Sequence, residues 1–126
     1  MNMPMTERIK AGKLFTDMCE GLPEKRLRGK TLMYEFNHSH PSEVEKRESL
    51  IKEMFATVGE NAWVEPPVHF SYGSNIHIGR NFYANFNLTI VDDYTVTIGD
   101  NVLIAPNVTL SVTGHPVHHE LRKNGE

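Results

Sequence analysis

The amino-acid sequence is notable first for what it lacks. Of its 126 residues only Cys19 is a cysteine, so no disulfide can form within the chain. A single thiol fits a reducing compartment, and we expect the protein in the cytoplasm. No apolar run approaches the roughly 18 residues that a membrane-spanning helix requires, and the N-terminus lacks the apolar core of a signal peptide. We therefore expect no membrane partner.

An excess of positive charge is also missing. The chain has 13 Lys and Arg residues against 16 Asp and Glu residues, which gives a formal net charge of -3. Nucleic-acid-binding proteins carry basic patches, so this balance argues against nucleic acid as a partner. Hydrophobic residues make up 39% of the sequence, which is typical of a soluble globular domain.

Residues 1–60 are predicted to form a helical region. Apolar residues recur at helical spacing before and after the break "EGLPEK", and the second of these stretches reaches about Phe36. A third helix is predicted to begin with a capping box formed by Ser42 and Glu45. Gly59 is predicted to end that helix.

From Val64 onward the spacing of apolar residues changes to a period of six. The series is Val64, Phe70, Ile76, Phe82 and Leu88, followed after one eight-residue step by Val96, Val102 and Val108. A second apolar series follows two residues later, at Ile78, Ala84, Ile90, Ile98, Ile104 and Leu110. Neither a helix nor a single strand has this period, but hexapeptide repeats do. We predict a three-sided parallel β-helix over residues 61–111, with coils of about 18 residues.

Two sequence features interrupt the repeat. Asp92 and Asp93 fall in the eight-residue step, and an aliphatic interior has no place for adjacent carboxylates. Both are therefore predicted to point outward or to lie at a corner, either as turn residues or as ligand contacts. The repeat ends after Leu110, and residues 112–126 are predicted to begin a loop in which Gly114 and Pro116 flank His115. Loops on a rigid scaffold often carry chemistry.

Three stretches carry a resemblance to a known family: "MTERIKAGKLFTDMCEGLPEKRLRGKTLMYEFN", "NFYANFNLTIVDDYTVTIGDNVLIAPNVTL" and "VTGHPV". The chain resembles the hexapeptide-repeat acetyltransferases, most specifically the galactoside (thiogalactoside) branch and its maltose and nodulation relatives. The resemblance implies a mainly β fold, a left-handed parallel β-helix after an N-terminal α-helical region. It also implies a homotrimer with active sites between subunits, and an outward column of apolar residues on one face, with Phe86 and Tyr83 as candidates, would support that packing. Family members are longer, so the chain is expected to be truncated at residue 126, and most coenzyme contacts are expected beyond it.

The resemblance further implies an enzyme that moves an acetyl group from acetyl-CoA to the 6-hydroxyl of a galactoside-type sugar, by direct transfer and without a metal. His115 matches the catalytic histidine and would act as the general base, since a sugar hydroxyl must lose its proton as it attacks the thioester. The sugar contacts implied by the resemblance are Asp17, Ser71, Asn85 and Asp93. Arg26 is a further candidate, because it follows the helix break near Asp17.

Three alternatives remain open on the residues alone. The acceptor could be a sugar of the maltose or glucose type, because such sugars differ from galactosides at single centres. The chain could also be an inactive fragment. A more remote alternative is a zinc enzyme like the trimeric β-helical carbonic anhydrases, which use three histidines as ligands. The candidate ligands for that reading are His69, His77, His115, His118 and His119.

Overall fold

A computed structural model of the protein describes residues 21–112. This part of the chain forms two helices followed by a left-handed parallel β-helix. The helices are α1 (Leu22–Asn37) and α2 (Val44–Met54). The strands are β1 (Thr57–Val58), β2 (Trp63–Val64), β3 (Val68–Phe70), β4 (Ile76–Ile78), β5 (Tyr83–Ala84), β6 (Leu88–Val91), β7 (Val96–Ile98), β8 (Leu103–Ile104) and β9 (Thr109–Ser111). Neither helix is long and apolar enough to cross a membrane.

The strands stack into three parallel sheets, which are the three sides of the prism. Their orders are β1-β4-β7, β2-β5-β8 and β3-β6-β9, so every third strand pairs. Within each sheet, side chains alternate between the interior and the solvent, as in strand β3, where His69 is exposed between buried Val68 and Phe70. The prediction of a three-sided β-helix of hexapeptide units is therefore confirmed.

The length of the coil differs from the prediction. Thr57 pairs with His77 and Ile76 pairs with Val96, so one coil takes 20 residues rather than about 18. The extra two residues enter at one corner of every described coil, where Phe70 is followed by its equivalent Ile78 after eight residues. The sequence spacing concealed the first of these steps because Ile76, six residues after Phe70, is also apolar but belongs to the other interior series.

The interior holds aliphatic and aromatic side chains in vertical columns. Val64, Ala84 and Ile104 form one such column and Phe70, Ile90 and Leu110 form another. The side chains of the middle coil, such as Phe82 and Leu88, are completely buried. Each side chain in a column packs against its equivalents in the neighbouring coils. Removal of these side chains from water therefore drives the stacking.

The two helices cover the first coil. Asn37, the last residue of α1, donates from Nδ2 to the carbonyl of Val68 and accepts from the Val68 amide at Oδ1, both at 2.8 Å. The side chain of Asn37 thus forms the hydrogen bonds that a further strand would form with the edge strand β3. Helix α2 adds Leu50, Ile51 and Met54 to the core.

The third predicted helix is shorter than expected. Helix α2 ends at Met54 instead of Gly59, since Thr57 and Val58 pair with strand β4. The coil therefore begins at Thr57, ahead of the predicted start at residue 61. The predicted capping box is also wrong, because Glu43 is the N-cap residue and accepts the His40 amide at 2.8 Å.

Candidate active site at the long corner

The corner with the eight-residue steps, which we call the long corner, consists of residues 71–75 and 92–95. It lies between β3 and β4 in the first coil and between β6 and β7 in the next. Two extra residues make the backbone leave the regular ladder here, so its amide groups need other partners. The long corner carries two of the sugar contacts implied by the resemblance, Ser71 and Asp93.

A buried carboxylate supplies the missing partners. Asp92 is completely buried, and its Oδ1 accepts the backbone amides of Ser71 and Tyr72, each at 2.9 Å. Its Oδ2 accepts the amide of Gly73 at 2.8 Å. Gly73 has a φ of 81°, a conformation that glycine adopts without strain, and the three successive amides form a cradle for the anion. Of the two predicted alternatives for these aspartates, a corner position is therefore confirmed, whereas Asp92 is buried and does not point outward.

The electrostatics of Asp92 reflect two opposed effects. Burial raises the pKa of its carboxyl, because the charged form loses its hydration. The three backbone amides stabilise the charged form and lower the pKa, but burial has the larger effect. A group of this kind acts as part of the framework, since no face of it reaches solvent.

Ser71 and Asp93 lie on either side of this cradle. Ser71 contributes its amide to Asp92, and Asp93 follows Asp92 directly in the chain. Both residues are half-buried, so each keeps a face toward solvent. The structure thus places the two residues at one corner, on successive coils.

Helix α1 packs directly on the long corner. A Cβ atom on Gly29 would lie 2.0 Å from the Tyr72 carbonyl oxygen, so only glycine fits at this contact. Lys30 donates from Nζ to the Phe70 carbonyl, which precedes the corner. Arg26 lies one helical turn before Gly29, on the same side of α1, and is half-buried. The helix that bears Arg26 is therefore held against the corner that bears Ser71 and Asp93.

Asn85 lies elsewhere in the chain's fold. It follows strand β5, at the corner between β5 and β6, and its Oδ1 accepts the Phe86 amide at 2.9 Å. The backbone amide of Asn85 donates to the Ile104 carbonyl at 3.0 Å. The whole of strand β6 separates Asn85 from Asp93. The structure therefore groups Ser71, Asp93 and the Arg26 helix, but not Asn85, within one chain.

Asp17 and His115 lie outside the described residues, as do His118 and His119 of the zinc alternative. Among the histidines of the zinc alternative, His69 lies on the sheet β3-β6-β9 and His77 on the sheet β1-β4-β7. His77 contacts Thr57 Oγ1 through Nδ1 at 3.0 Å. In the segment 21–112 no three His, Cys, Asp or Glu side chains are grouped as a metal site would require.

Sequence reasoning identified only part of one surface feature, an outward column of apolar residues. Trp63, Tyr83 and Leu103 pair in register along the sheet β2-β5-β8, and all three face outward. Leu103 is 79% exposed, and Phe86, beyond the end of β5, is 45% exposed. A spacing of 20 residues between these apolar positions is the signal that would have revealed the column. Of the two residues predicted to form an outward apolar column, Tyr83 belongs to it and Phe86 lies beside it.

Comparisons with known proteins agree with this architecture. A family model described as the maltose acetyltransferase hexapeptide capping motif matches residues 8–59. The galactoside O-acetyltransferase of Escherichia coli strain K12 is 98% identical over 126 residues, which is 100% of this chain and 62% of the relative. This chain therefore spans less than two thirds of the length of that relative.

Two further matches extend the comparison. A solved structure of a galactoside acetyltransferase in complex with coenzyme A has a TM-score of 0.97 and 98% identity, and the match covers 98% of this chain and 62% of that one. Nodulation protein L of Rhizobium meliloti is 31% identical over 125 residues, which is 99% of this chain and 68% of the relative. With its stacked hexapeptide coils and helical cap, the chain belongs to the hexapeptide-repeat acetyltransferase family.

Proposed function

We propose that the protein transfers an acetyl group from acetyl-CoA to the 6-hydroxyl of a galactoside-type sugar. The observation that carries this proposal is the 98% identity to a galactoside O-acetyltransferase over the whole of this chain. The solved structure with coenzyme A supports acetyl-CoA as the donor. The long corner adds a physical reason, because a carboxylate and a hydroxyl on successive coils can bind several sugar hydroxyls at once.

In the proposed reaction His115 is the general base. Its imidazole takes the proton of the sugar hydroxyl as the oxygen attacks the thioester carbonyl, and coenzyme A then leaves as the thiol with that proton. A base with a pKa near 6.5 suits this step at neutral pH. Asp17, Ser71, Asn85 and Asp93 hold the acceptor so that its hydroxyl points at His115, and such positioning lowers the barrier by several kcal/mol.

We also propose a homotrimer in which each site uses residues of two subunits. The separation of Asn85 from Ser71 and Asp93 in one chain supports this, because a neighbouring subunit can bring the two corners together. The outward column of Trp63, Tyr83 and Leu103 supports side-by-side packing, since apolar surface of this kind favours burial. We propose residues 1–60 as the acceptor side, which includes the first strand of the coil at Thr57–Val58. We further propose that residues 61–111 form the rest of the coils and that 112–126 begin the histidine loop, in a cytoplasmic protein.

An acceptor of the maltose or glucose type is the second candidate. The match of residues 8–59 to the maltose acetyltransferase motif favours it. A galactose-type and a glucose-type ring differ at one hydroxyl centre, so the acceptor side must distinguish a single hydrogen bond. A panel of galactosides, maltose and glucose separates the two candidates by kcat/KM.

The experiment that tests the proposal measures thiol release from acetyl-CoA with this panel. It uses this chain and the same chain carrying the C-terminal part of the Escherichia coli relative. We expect His115→Ala to lower kcat by about 10²- to 10⁴-fold, the usual contribution of a positioned base. His69→Ala, on an exposed coil position, is the matched control and should leave kcat unchanged. A loss of only a fewfold for His115→Ala would remove His115 as the base, and no transfer to any sugar would reject the activity.

A further inference from the structure

Asp92 ties two coils together at the place where the proposed sugar contacts lie. Its two carboxylate oxygens accept three amides of the coil below at 2.8–2.9 Å. Its backbone carbonyl also accepts Asn75 Nδ2 at 2.7 Å. Four hydrogen bonds therefore join residues that are 17 to 21 positions apart in the chain.

These hydrogen bonds involve or adjoin Ser71 and Asp93, two of the proposed contacts to the sugar acceptor. The first amide in the cradle is that of Ser71, and the residue after Asp92 is Asp93. The middle amide belongs to Tyr72, whose carbonyl oxygen is the contact point of Gly29 on helix α1. The same carboxylate thus sets the relative positions of Ser71, of Asp93 and of the helix that carries Arg26.

We propose that Asp92 is a positioning residue for the sugar acceptor, which it never touches because it is completely buried. The inference rests on the proposed function. Asp92 acts through Ser71 and Asp93, whose side chains reach the half-exposed surface of the long corner. Loss of the carboxylate charge should therefore disturb acceptor binding and leave the donor side alone.

Asp92→Asn tests this with the smallest change of shape. An amide offers one oxygen where the carboxylate offers two, so in either orientation its NH₂ group faces at least one backbone amide of the cradle. The matched control is Asp100→Asn. Asp100 Oδ1 accepts the Arg80 amide at 2.9 Å between successive coils, but it lies at another corner and is exposed. The control therefore makes the same carboxylate-to-amide change at a residue that also accepts a backbone amide of the neighbouring coil, but away from the proposed site.

The measurement is a split of the kinetic constants, made on whichever chain transfers acetyl groups. We expect Asp92→Asn to raise the KM for the galactoside about tenfold or more while the KM for acetyl-CoA stays within twofold, because the cradle loses hydrogen bonds to a charged group, which are stronger than bonds between neutral groups. Asp100→Asn should change neither constant. The galactoside affinity, measured by calorimetry without acetyl-CoA, should fall by the same factor as the KM rises.

Other outcomes overturn the inference. Unchanged constants in a folded Asp92→Asn protein, or equal effects on both substrates, would show that Asp92 serves stability alone. If this variant does not fold, Asn75→Ala removes one of the four bonds and keeps the carboxylate. It should raise the galactoside KM about threefold, and an unchanged KM would contradict the proposal. A wild-type protein that neither binds nor acetylates galactosides would instead reject the proposed function itself.

Discussion

At the scale of single residues, asparagine shapes the two short corners of the coil. Asn61, Asn81 and Asn101 have φ values of 58°, 56° and 59°, and Asn87 and Asn107 have 63° and 62°. Asparagine enters this left-handed region more readily than other residues with a Cβ. Stacked asparagines also bond one another, since Asn81 Nδ2 donates to Asn101 Oδ1 at 2.9 Å.

Substitution of Asn81 separates the contribution of the left-handed backbone conformation from that of the side-chain hydrogen bonds. Asn81→Gly loses the side-chain bonds but keeps the backbone conformation, whereas Asn81→Ala loses the bonds and strains the backbone. We expect Asn81→Ala to lower the free energy of unfolding by about 1 kcal/mol more than Asn81→Gly does. Urea denaturation of both variants measures the difference. Equal stabilities would show that the φ value of 56° carries no strain here.

At the scale of elements, the contact between helix α1 and the long corner depends on Gly29. In an ordinary helix, alanine is favoured over glycine by about 1 kcal/mol. Here a Cβ atom would meet the Tyr72 carbonyl at 2.0 Å and Phe70 at 3.3 Å, and the nearer atom belongs to the backbone, which shifts less easily than the end of a flexible side chain. The helix therefore approaches the coil more closely than any other residue would allow.

We expect Gly29→Ala to destabilise the protein despite the gain in helix propensity. Overpacking of a tight contact typically costs about 1–3 kcal/mol, which exceeds that gain. Thermal unfolding measures the effect. Lys25→Ala, on the exposed surface of the same helix, is the control and should stay within about 0.5 kcal/mol of the wild type. A Gly29→Ala protein as stable as the wild type would contradict the close approach.

At the scale of the whole molecule, the proposed assembly depends on the outward column of the sheet β2-β5-β8. Leu103 is the most exposed large apolar residue described, at 79%, and Tyr83 and Trp63 lie beneath it. A charged side chain at position 103 would have to lose its hydration in a packed interface. The other two sheets present His69, His77 and threonines at the corresponding outward positions.

We expect Leu103→Asp to reduce the mass of the protein from that of a trimer to that of smaller species. Sedimentation equilibrium at several concentrations measures this mass. Thr97→Asp, an exposed position of the same coil on the sheet β1-β4-β7, should leave the trimer intact. A trimer that survives Leu103→Asp would place the subunit interface on another side, and a wild-type monomer would reject the assembly.

From the sequence by itself one could predict the coil, its apolar columns and two of the helices, because burial selects apolar residues at positions set by the chain's own period. The family resemblance, and not this period, implied Ser71 and Asp93 as candidate sugar contacts. The 20-residue coil, the inward carboxylate of Asp92 and the contact at Gly29 emerged only from the tertiary structure. Each depends on which residues one coil brings beneath another, and a buried charge becomes favourable only when distant backbone amides converge on it.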